Sequence, residues 1–180
     1  MQFKRIKRNI SGVLLLDKPL GISSNAALQA AKNLYQAAKA GHTGTLDPLA
    51  TGLLPICFGE ATKFAQFPTD ADKRYDARIT LGVRTDTGDK EGRILSESPV
   101  SVTPTQLENA LALFRGVGSQ IPPMYSALKF QGQALYKFAR EGIEIERAAR
   151  AVTFHHIVLT QFDGLNFTIS VACSKGAYIR

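Results

Sequence analysis

The residue best suited to carry out chemistry in this sequence is Asp47, which lies in a stretch rich in glycine and proline. The stretch covers residues 41–59 and reads GHTGTLDPLATGLLPICFG. Pro48 restricts the residue before it to extended conformations, so the backbone at Asp47 should be stiff. A carboxylate held in one orientation can act as a nucleophile or as a general base. The alternative is an ordinary Asp-Pro turn, which the local sequence alone favours.

Other kinds of reactive site have little support in the sequence. Two pairs of acidic residues could be read as metal ligands, but their polar neighbours favour solvated loops; they are Asp70 with Asp72 and Asp86 with Asp89. The histidines and cysteines show no zinc-binding spacing, so we expect no metal. Neither a GxxxxGKS/T phosphate loop nor a GxSxG nucleophile elbow occurs, so nucleotide hydrolysis and serine-hydrolase chemistry have no motif.

The composition is that of a globular protein with an excess of positive charge. The 180 residues are 44% hydrophobic and 21% charged, with a formal net charge of +7. No apolar run reaches the roughly 18 residues of a membrane span, and the basic N-terminus lacks the apolar segment of a secretory signal. We therefore expect a cytoplasmic protein of one domain with a polyanionic partner. Cys57 and Cys173 have apolar neighbours, which favours buried free thiols over a disulfide.

Two predicted elements precede the stretch around Asp47. The apolar residues 13–16 predict a buried strand. Ser23 and Ser24 offer an N-cap for a helix over residues 26–40, with Gly41 just beyond its end. The apolar face of that helix would consist of Leu28, Ala31, Leu34, Tyr35 and Ala38. Gly41 and Gly44 are expected to permit a positive φ or the close approach of another backbone segment.

Later elements alternate irregularly between strand and helix. Residues 75–81 alternate between apolar and polar side chains, which predicts a half-buried strand, and residues 84–92 read as a polar loop. Thr103, Pro104 and Gln106 combine an N-cap, a proline at the first helical position and a capping box, for a helix that continues to Gly116. Residues 152–159 and 167–173 predict two further strands. The pattern is typical of an α+β fold whose mostly antiparallel sheet is flanked by helices.

Five stretches of the sequence carry motifs that are specific as an ordered set. They are residues 16–24 (LDKPLGISS), 41–64 (GHTGTLDPLATGLLPICFGEATKF), 72–75 (DKRY), 120–142 (with PPMYSALK) and 173–180 (CSKGAYIR). Each resembles a motif of the bacterial tRNA pseudouridine-55 synthases, the TruB family. The resemblance implies the pseudouridine-synthase fold, with residues 1–180 as the larger N-terminal part of the catalytic domain and a tRNA-contacting insertion at about residues 120–150.

The resemblance also implies that the chain is a fragment. The apolar pair Tyr178 and Ile179 looks like the start of a strand, and the chain stops directly after it. In the family the remainder of the catalytic domain follows the arginine motif, and a small RNA-binding PUA domain usually comes after that. We therefore expect a fold that is incomplete at its C-terminus.

The activity implied is the isomerisation of uridine 55 in the TΨC loop of tRNA to pseudouridine. The N1–C1′ bond breaks, the uracil turns, and C5 bonds to C1′, with no cofactor or metal. Asp47 would be the essential aspartate, adding covalently to the sugar or base, or removing a proton at the ribose 2′ position. Arg180 would pair with it and favour the ionised carboxylate. We expect the protein to act as a monomer on the tRNA T-arm.

The remaining site residues follow from the same resemblance. Tyr75 would stack on the flipped uracil, Tyr178 would line the same pocket, and His42 would lie near the base. Flipping costs a few kcal/mol, and stacking on an aromatic ring returns about 1–3 kcal/mol, so the two are comparable. Side chains of the insertion would bind the RNA, chiefly Lys129, Lys137 and Arg140.

Simpler roles for these residues stay open on sequence alone. Tyr75 and Tyr178 could be core residues of strands, His42 a loop histidine bonded to backbone, and Arg180 an exposed terminal residue. Lys18 is expected to be structural rather than catalytic. At the level of function, the alternative is a tRNA-binding or folding module without catalysis, with steeply salt-dependent binding. An aspartate-dependent glycoside hydrolase would need a paired second carboxylate, which no motif supplies.

Overall fold

Strands and helices in the computed structural model, which describes residues 7–180, divide into two units. The first unit extends to Ala71 and the second runs from Asp72 to Arg180. Every pairing between the strands of the described residues is antiparallel, as predicted. None of the helices in this part of the chain is long and apolar enough to cross a membrane.

The first unit is a three-stranded sheet with a helix packed on it. Its elements are β1 (Gly12–Lys18), α1 (Ser24–Leu34), β2 (Ala40–His42), β3 (Gly52–Phe58), a 3₁₀ helix (Gly59–Phe64) and α2 (Gln66–Asp70). The strand order is β1-β3-β2, so β3 lies in the middle. The core forms where α1 meets this sheet, and its buried side chains are Leu28, Ala31, Ala37, Ile56 and Phe58.

Strand β1 exposes one of its faces, so the prediction of a fully buried strand is wrong. Leu14 and Leu16 pack against the core. Val13 and Leu15 point the other way and are 58% and 69% exposed. Helix α1 packs on one face of this sheet, and Leu53 of the central strand β3 is likewise 63% exposed on the other face. An unbroken apolar run does not reveal that a strand buries a single face.

Helix α1 begins as predicted and ends earlier than predicted. The Ser23 side chain accepts a hydrogen bond from the Ala26 backbone N–H and caps the helix. The predicted continuation to residue 40 is wrong, because Gln36 adopts a left-handed φ of 54° and the chain turns into β2. Leu34 is consequently 81% exposed rather than part of the buried face. Strand pairing has overridden the helix propensity of this alanine-rich segment.

The glycines singled out from the sequence are not the ones with unusual backbone geometry. Gly41 lies inside β2, and a side chain added at Gly41 or Gly44 would meet open space. Neither residue has a positive φ, so that expectation is wrong. Within residues 41–59, the left-handed glycine with a close neighbour is Gly59, whose φ is +52° and which lies against the backbone carbonyl of Ile10.

The second unit contains a four-stranded sheet in the order β4-β11-β10-β7. Its elements are β4 (Lys73–Thr80), β5 (Val83–Thr85), β6 (Ile94–Glu97), α3 (Pro104–Ala112), β7 (Gly116–Gln120), β8 (Lys129–Phe130), β9 (Gln133–Ala134), α4 (Leu135–Arg140), β10 (Arg150–Phe162) and β11 (Asn166–Cys173). The strands predicted at residues 75–81, 152–159 and 167–173 are confirmed as β4, β10 and β11.

Helix α3 supplies one side of the core of this unit. Leu107 and Leu111 are buried together with Ile157, Phe167 and Val171 of the sheet. The predicted capping box is present, because Thr103 and Gln106 bond each other's backbone N–H groups. The helix ends at Ala112 rather than at Gly116.

Strand β7 follows α3 without having been predicted. Its sequence, GVGSQ, lacks alternating apolar residues, and four of its five residues are exposed. Backbone pairing with residues 150–154 of β10 therefore makes it a strand. The strand start predicted at Tyr178 is wrong, because residues 177–180 form no regular secondary structure.

Candidate active site

Asp47 lies in the loop of residues 43–51 that connects β2 to β3 in the first unit. The Thr43 N–H donates to the Pro55 carbonyl at 3.1 Å, which closes the base of the loop. The Ala50 N–H donates to the Asp47 carbonyl at 3.0 Å and forms a turn around Pro48. The Asp-Pro turn of the alternative interpretation is thus present, and Asp47 is half-buried within it.

The backbone on both sides of Asp47 is tied to the segment that leads into α1. The Ser24 hydroxyl accepts from the Leu46 N–H at 2.8 Å and donates to the Leu46 carbonyl at 3.0 Å. The Gly21 N–H donates to the Pro48 carbonyl at 2.8 Å. Ser24 is only 2% exposed, so water does not compete for its two bonds. The loop is held in place on either side of its carboxylate, as catalytic positioning requires.

Lys18 shapes the segment that makes these contacts. It is fully buried, and its Nζ donates to the carbonyls of Pro19 and Ile22 at 2.9 and 2.8 Å. Burial lowers the pKa of Lys18, and the negative charge of Asp47 acts in the opposite direction. The bonds to the turn agree with the structural role expected for Lys18.

His42 ends β2, five residues before Asp47, and is half-buried. Its Nδ1 is enclosed and has no hydrogen-bond partner, and the same holds for the Oγ1 of Thr43. A histidine that only fastened the loop through Nδ1 would show such a partner. The structure therefore shows no bond from Nδ1 to the backbone of the loop, and the contact of His42 with the base stays a prediction.

Arg180 belongs to the second unit, and its contacts there include an acidic side chain and a backbone carbonyl. Its guanidinium donates to an Asp89 carboxylate oxygen at 3.0 Å and to the Tyr125 carbonyl at 2.7 Å. The side chain is only 16% exposed, so the interpretation of Arg180 as an exposed terminal residue is wrong. Its pairing with Asp47 stays a prediction.

Asp89 is a functional candidate that the sequence reasoning missed. The assignment to a solvated loop is wrong for this residue, because its side chain is 11% exposed and pairs with Arg180. Its other oxygen accepts from Thr87 Oγ1 at 2.7 Å and from the Glu91 N–H at 3.0 Å. Gly88, with a φ of +74°, allows the tight turn. Gly88 and Gly92, which flank Asp89 and Glu91 in the sequence, could have indicated an ordered loop.

The other acidic residues considered as metal ligands are exposed. Asp86 accepts from the Arg93 N–H at 2.9 Å, and Asp72 lies 3.0 Å from a His155 ring nitrogen. Among residues 7–180, no group of three or more histidine, cysteine or acidic residues is arranged to hold a metal ion.

The two tyrosines of the predicted pocket both belong to the second unit. Tyr75 of β4 is half-buried and packs against the core of that unit, opposite Val171 of β11. Tyr178 is also half-buried, and its backbone N–H and carbonyl bond the side-chain amide of Gln120 at 2.9 and 2.8 Å. Tyr178 is therefore not a strand residue, although Gln120 satisfies its backbone as a neighbouring strand would. Their contacts with the base stay predictions.

The predicted RNA-binding side chains lie on the surface of the second unit. Lys129 belongs to β8, while Lys137 and Arg140 belong to α4, and all three are exposed. The Arg140 guanidinium lies 5.3 Å from the centre of the Tyr136 ring. Leu135, the first residue of α4, is buried. Solvent-facing cations next to an aromatic ring suit an RNA contact.

Comparisons with known proteins agree with these motifs. Residues 32–179 match the model described as TruB family pseudouridylate synthase (N terminal domain). A tRNA pseudouridine synthase B of Methylobacillus flagellatus is 66% identical over 180 residues, which is 100% of this chain and 60% of that protein. One of Azoarcus sp. is 59% identical over the same shares. The chain thus spans about 60% of the length of these curated relatives.

A solved structure shows the same fold. It is described as a Cbf5-Nop10-Gar1 complex, and the matching chain has a TM-score of 0.69 at 27% identity. The match covers 96% of this chain and 42% of that one. Together with the family match it confirms the predicted pseudouridine-synthase fold of the α+β class. The chain belongs to the TruB family of pseudouridylate synthases.

Proposed function

We propose that this chain forms the catalytic part of an enzyme that isomerises uridine to pseudouridine at position 55, in the TΨC loop of tRNA. The relatives that are 66% and 59% identical bear the name tRNA pseudouridine synthase B. The observation that carries the proposal is the fixation of the Asp47 loop by Ser24 and Gly21. A carboxylate held in this way suits a reaction that needs one group aimed at a sugar–base bond.

The chemistry requires no net change in composition. The N1–C1′ bond breaks, the detached uracil turns, and C5 bonds to C1′ while the C5 proton is lost and N1 gains one. Asp47 begins this sequence, either by bonding covalently to the sugar or base, or by removing a proton at the ribose 2′ carbon. Lys18 suits either route, because its ammonium group and the Asp47 carboxylate interact electrostatically.

The remaining residues bind and orient the flipped nucleotide in this proposal. Tyr75 stacks on the uracil, Tyr178 lines the pocket, and His42 lies near the flipped base. Arg180 pairs with the catalytic carboxylate, and Asp89 and the Tyr125 carbonyl fix its guanidinium. Stacking worth about 1–3 kcal/mol offsets most of the few kcal/mol that flipping costs.

The partner in this proposal is the tRNA T-arm, bound by a monomer in the cytoplasm. The net charge of +7 favours a polyanion. The exposed side chains of Lys129, Lys137 and Arg140 supply cations for its phosphates.

The test is release of tritium from a T-arm RNA labelled at C5 of uridine. The protein should release the label from one uridine, and Asp47→Asn should lower the rate by about 10³-fold or more, because it removes the reacting group. Asp17→Asn is the matched control, since Asp17 is exposed on β1 and should leave the rate unchanged. Equal rates for Asp47→Asn and the unchanged protein would refute the proposal. RNA binding without any release would favour the binding module.

A further inference from the structure

Gln120 is the last residue of β7, and its side-chain amide is bonded to the backbone of Tyr178. The amide nitrogen donates to the Tyr178 carbonyl at 2.8 Å, and the amide oxygen accepts from the Tyr178 N–H at 2.9 Å. Both residues are half-buried, and 58 positions of chain separate them. One side chain thus binds both polar backbone groups of a residue that is assigned to the pocket for the base.

The backbone of Gln120 has a fixed place in the four-stranded sheet of the second unit. All of β7 pairs with β10, and Gln120 stands opposite Arg150 at the end of that pairing. Val152, two residues further along β10, is buried. The amide of Gln120 therefore reaches Tyr178 from a backbone that strand pairing holds in place.

Tyr178 itself lies outside any strand or helix, since residues 177–180 form no regular secondary structure. On either side of it, Ala177 and Ile179 pack against the core of the unit. Apolar contacts of this kind are non-directional, whereas hydrogen bonds to the N–H and the carbonyl of Tyr178 set the orientation of its backbone. The direction in which the Tyr178 side chain leaves the backbone therefore depends on Gln120.

We propose that Gln120 is a positioning residue, which orients Tyr178 in the pocket for the flipped uracil and acts on the reaction through it. The inference rests on the proposed function, because that function gives Tyr178 its place in the pocket. Arg180 has contacts of its own with Asp89 and with the Tyr125 carbonyl, so separate bonds orient the two site residues of this segment. A shift of about 1 Å in a group that holds the substrate can slow a reaction about 100-fold.

The experiment replaces the amide by a carboxyl group of the same shape and follows tritium release against pH. An ionised carboxylate in Gln120→Glu can only accept hydrogen bonds and repels the Tyr178 carbonyl, whereas the protonated acid donates to that carbonyl as the amide does. Relative to the unchanged protein, kcat should be lower by about 10-fold or more at about pH 8 and should recover at least about 5-fold at about pH 5, with a smaller change in KM. The matched control is Gln161→Glu, at an exposed position of β10, whose kcat relative to the unchanged protein should not vary with pH.

A double variant separates positioning from a purely structural role. Gln120→Ala alone should lower kcat by about 10-fold or more, but by less than about 2-fold in a Tyr178→Ala background, because no side chain is left there to orient. Urea denaturation at each pH gives the folded fraction of every variant. If Gln120→Ala does not fold, the recovery of Gln120→Glu at low pH decides the question.

Three outcomes would overturn the inference and leave the proposed function standing. They are fully additive effects of the Gln120 and Tyr178 substitutions, a relative kcat of Gln120→Glu that does not vary with pH, and a rate of that variant that falls only in step with its folded fraction. Absence of tritium release by the unchanged protein would instead overturn the proposed function, and this inference with it.

Discussion

Ser24 acts on the candidate catalytic carboxylate without touching it. Both of its hydrogen bonds go to the backbone of Leu46, the residue before Asp47. A displacement of about 1 Å in a reacting group can lower a rate about 100-fold. If Asp47 reacts as proposed, loss of the Ser24 hydroxyl should therefore lower the reaction rate as well as the stability of the loop.

The neighbouring serines provide a matched test. Ser24→Ala should lower kcat by about 10-fold to 100-fold with little change in KM, because the loop loses both bonds while the RNA contacts remain. Ser23→Ala removes only the helix cap and should cost about 1 kcal/mol of stability at an unchanged kcat. Ser24→Thr, which keeps the hydroxyl, should recover part of the rate. Equal kcat values for the two alanine variants would contradict the positioning role.

Asp89 supports a second prediction at this scale. Asp89→Asn removes the charge opposite the Arg180 guanidinium, so the chain should lose about 2 kcal/mol of unfolding free energy and most of its tritium release. Urea denaturation and the release assay measure the two effects. Asp86→Asn, in the same loop but exposed, is the control and should affect both much less. Equal losses of stability and tritium release in the Asp89→Asn and Asp86→Asn variants would contradict a specific role for the contact between Asp89 and Arg180.

Sequence motifs pointed to Asp47 and Arg180 as candidate site residues but did not point to the contacts that hold them. Asp89 meets Arg180 across 91 positions of chain, and Ser24 meets Leu46 across 22. Neither contact leaves a periodic or local signal, because each depends on which strands pair. The polar neighbours of Asp89 in the chain suggested solvent, whereas its neighbours in space exclude it.

At the scale of elements, local signals predicted starts better than ends. The caps at Ser23 and Thr103 depend on side chains within three residues, so both helix starts were predictable. The end of α1 depends on the pairing of β2 with β3, which no helix propensity contains. Strand β7 was missed for the same reason, since its pairing with β10 replaces the apolar pattern.

Gly59 joins β3 to the 3₁₀ helix, and its backbone requires glycine. A Cβ at this position would overlap the Ile10 carbonyl, and its φ of +52° is unfavourable for other residues. Gly59→Ala should therefore lower the unfolding free energy by about 2–4 kcal/mol, measured by urea denaturation. Gly41→Ala should change it by less than about 1 kcal/mol, because Gly41 has ordinary geometry and open space beside it. A larger loss of unfolding free energy for Gly41→Ala than for Gly59→Ala would show that the backbone requires glycine at residue 41, as the sequence suggested.

At the scale of the whole molecule, each unit has its own core and its own buried cysteine. Cys57 lies in the first unit and Cys173 in the second, 2% and 1% exposed, and both are free thiols as predicted. Burial raises the pKa of both thiols, and the Asp72 carboxylate adds to the effect at Cys173, where Lys73 opposes it. The reactive thiolate is therefore scarce near neutral pH in the folded protein.

The two cysteines should report the opening of each unit separately. In Cys57→Ser and Cys173→Ser variants, the remaining thiol should react with a disulfide reagent at least about 100-fold more slowly than in urea, because reaction must await local opening. The rate should rise with pH up to values above the usual thiol range, since a raised pKa delays thiolate formation. Immediate reaction of either folded variant at neutral pH would contradict the burial of that cysteine.

The contact between Ser24 and the loop depends on residue type at one of its two ends only. On one side it needs a particular side chain, but on the other it uses only the peptide groups of Leu46, which every amino acid except proline provides in full. Residue 46 can therefore diversify without releasing the loop, whereas residue 24 has few substitutes. The side chain next to the candidate carboxylate can therefore change while the backbone that orients this carboxylate stays fixed.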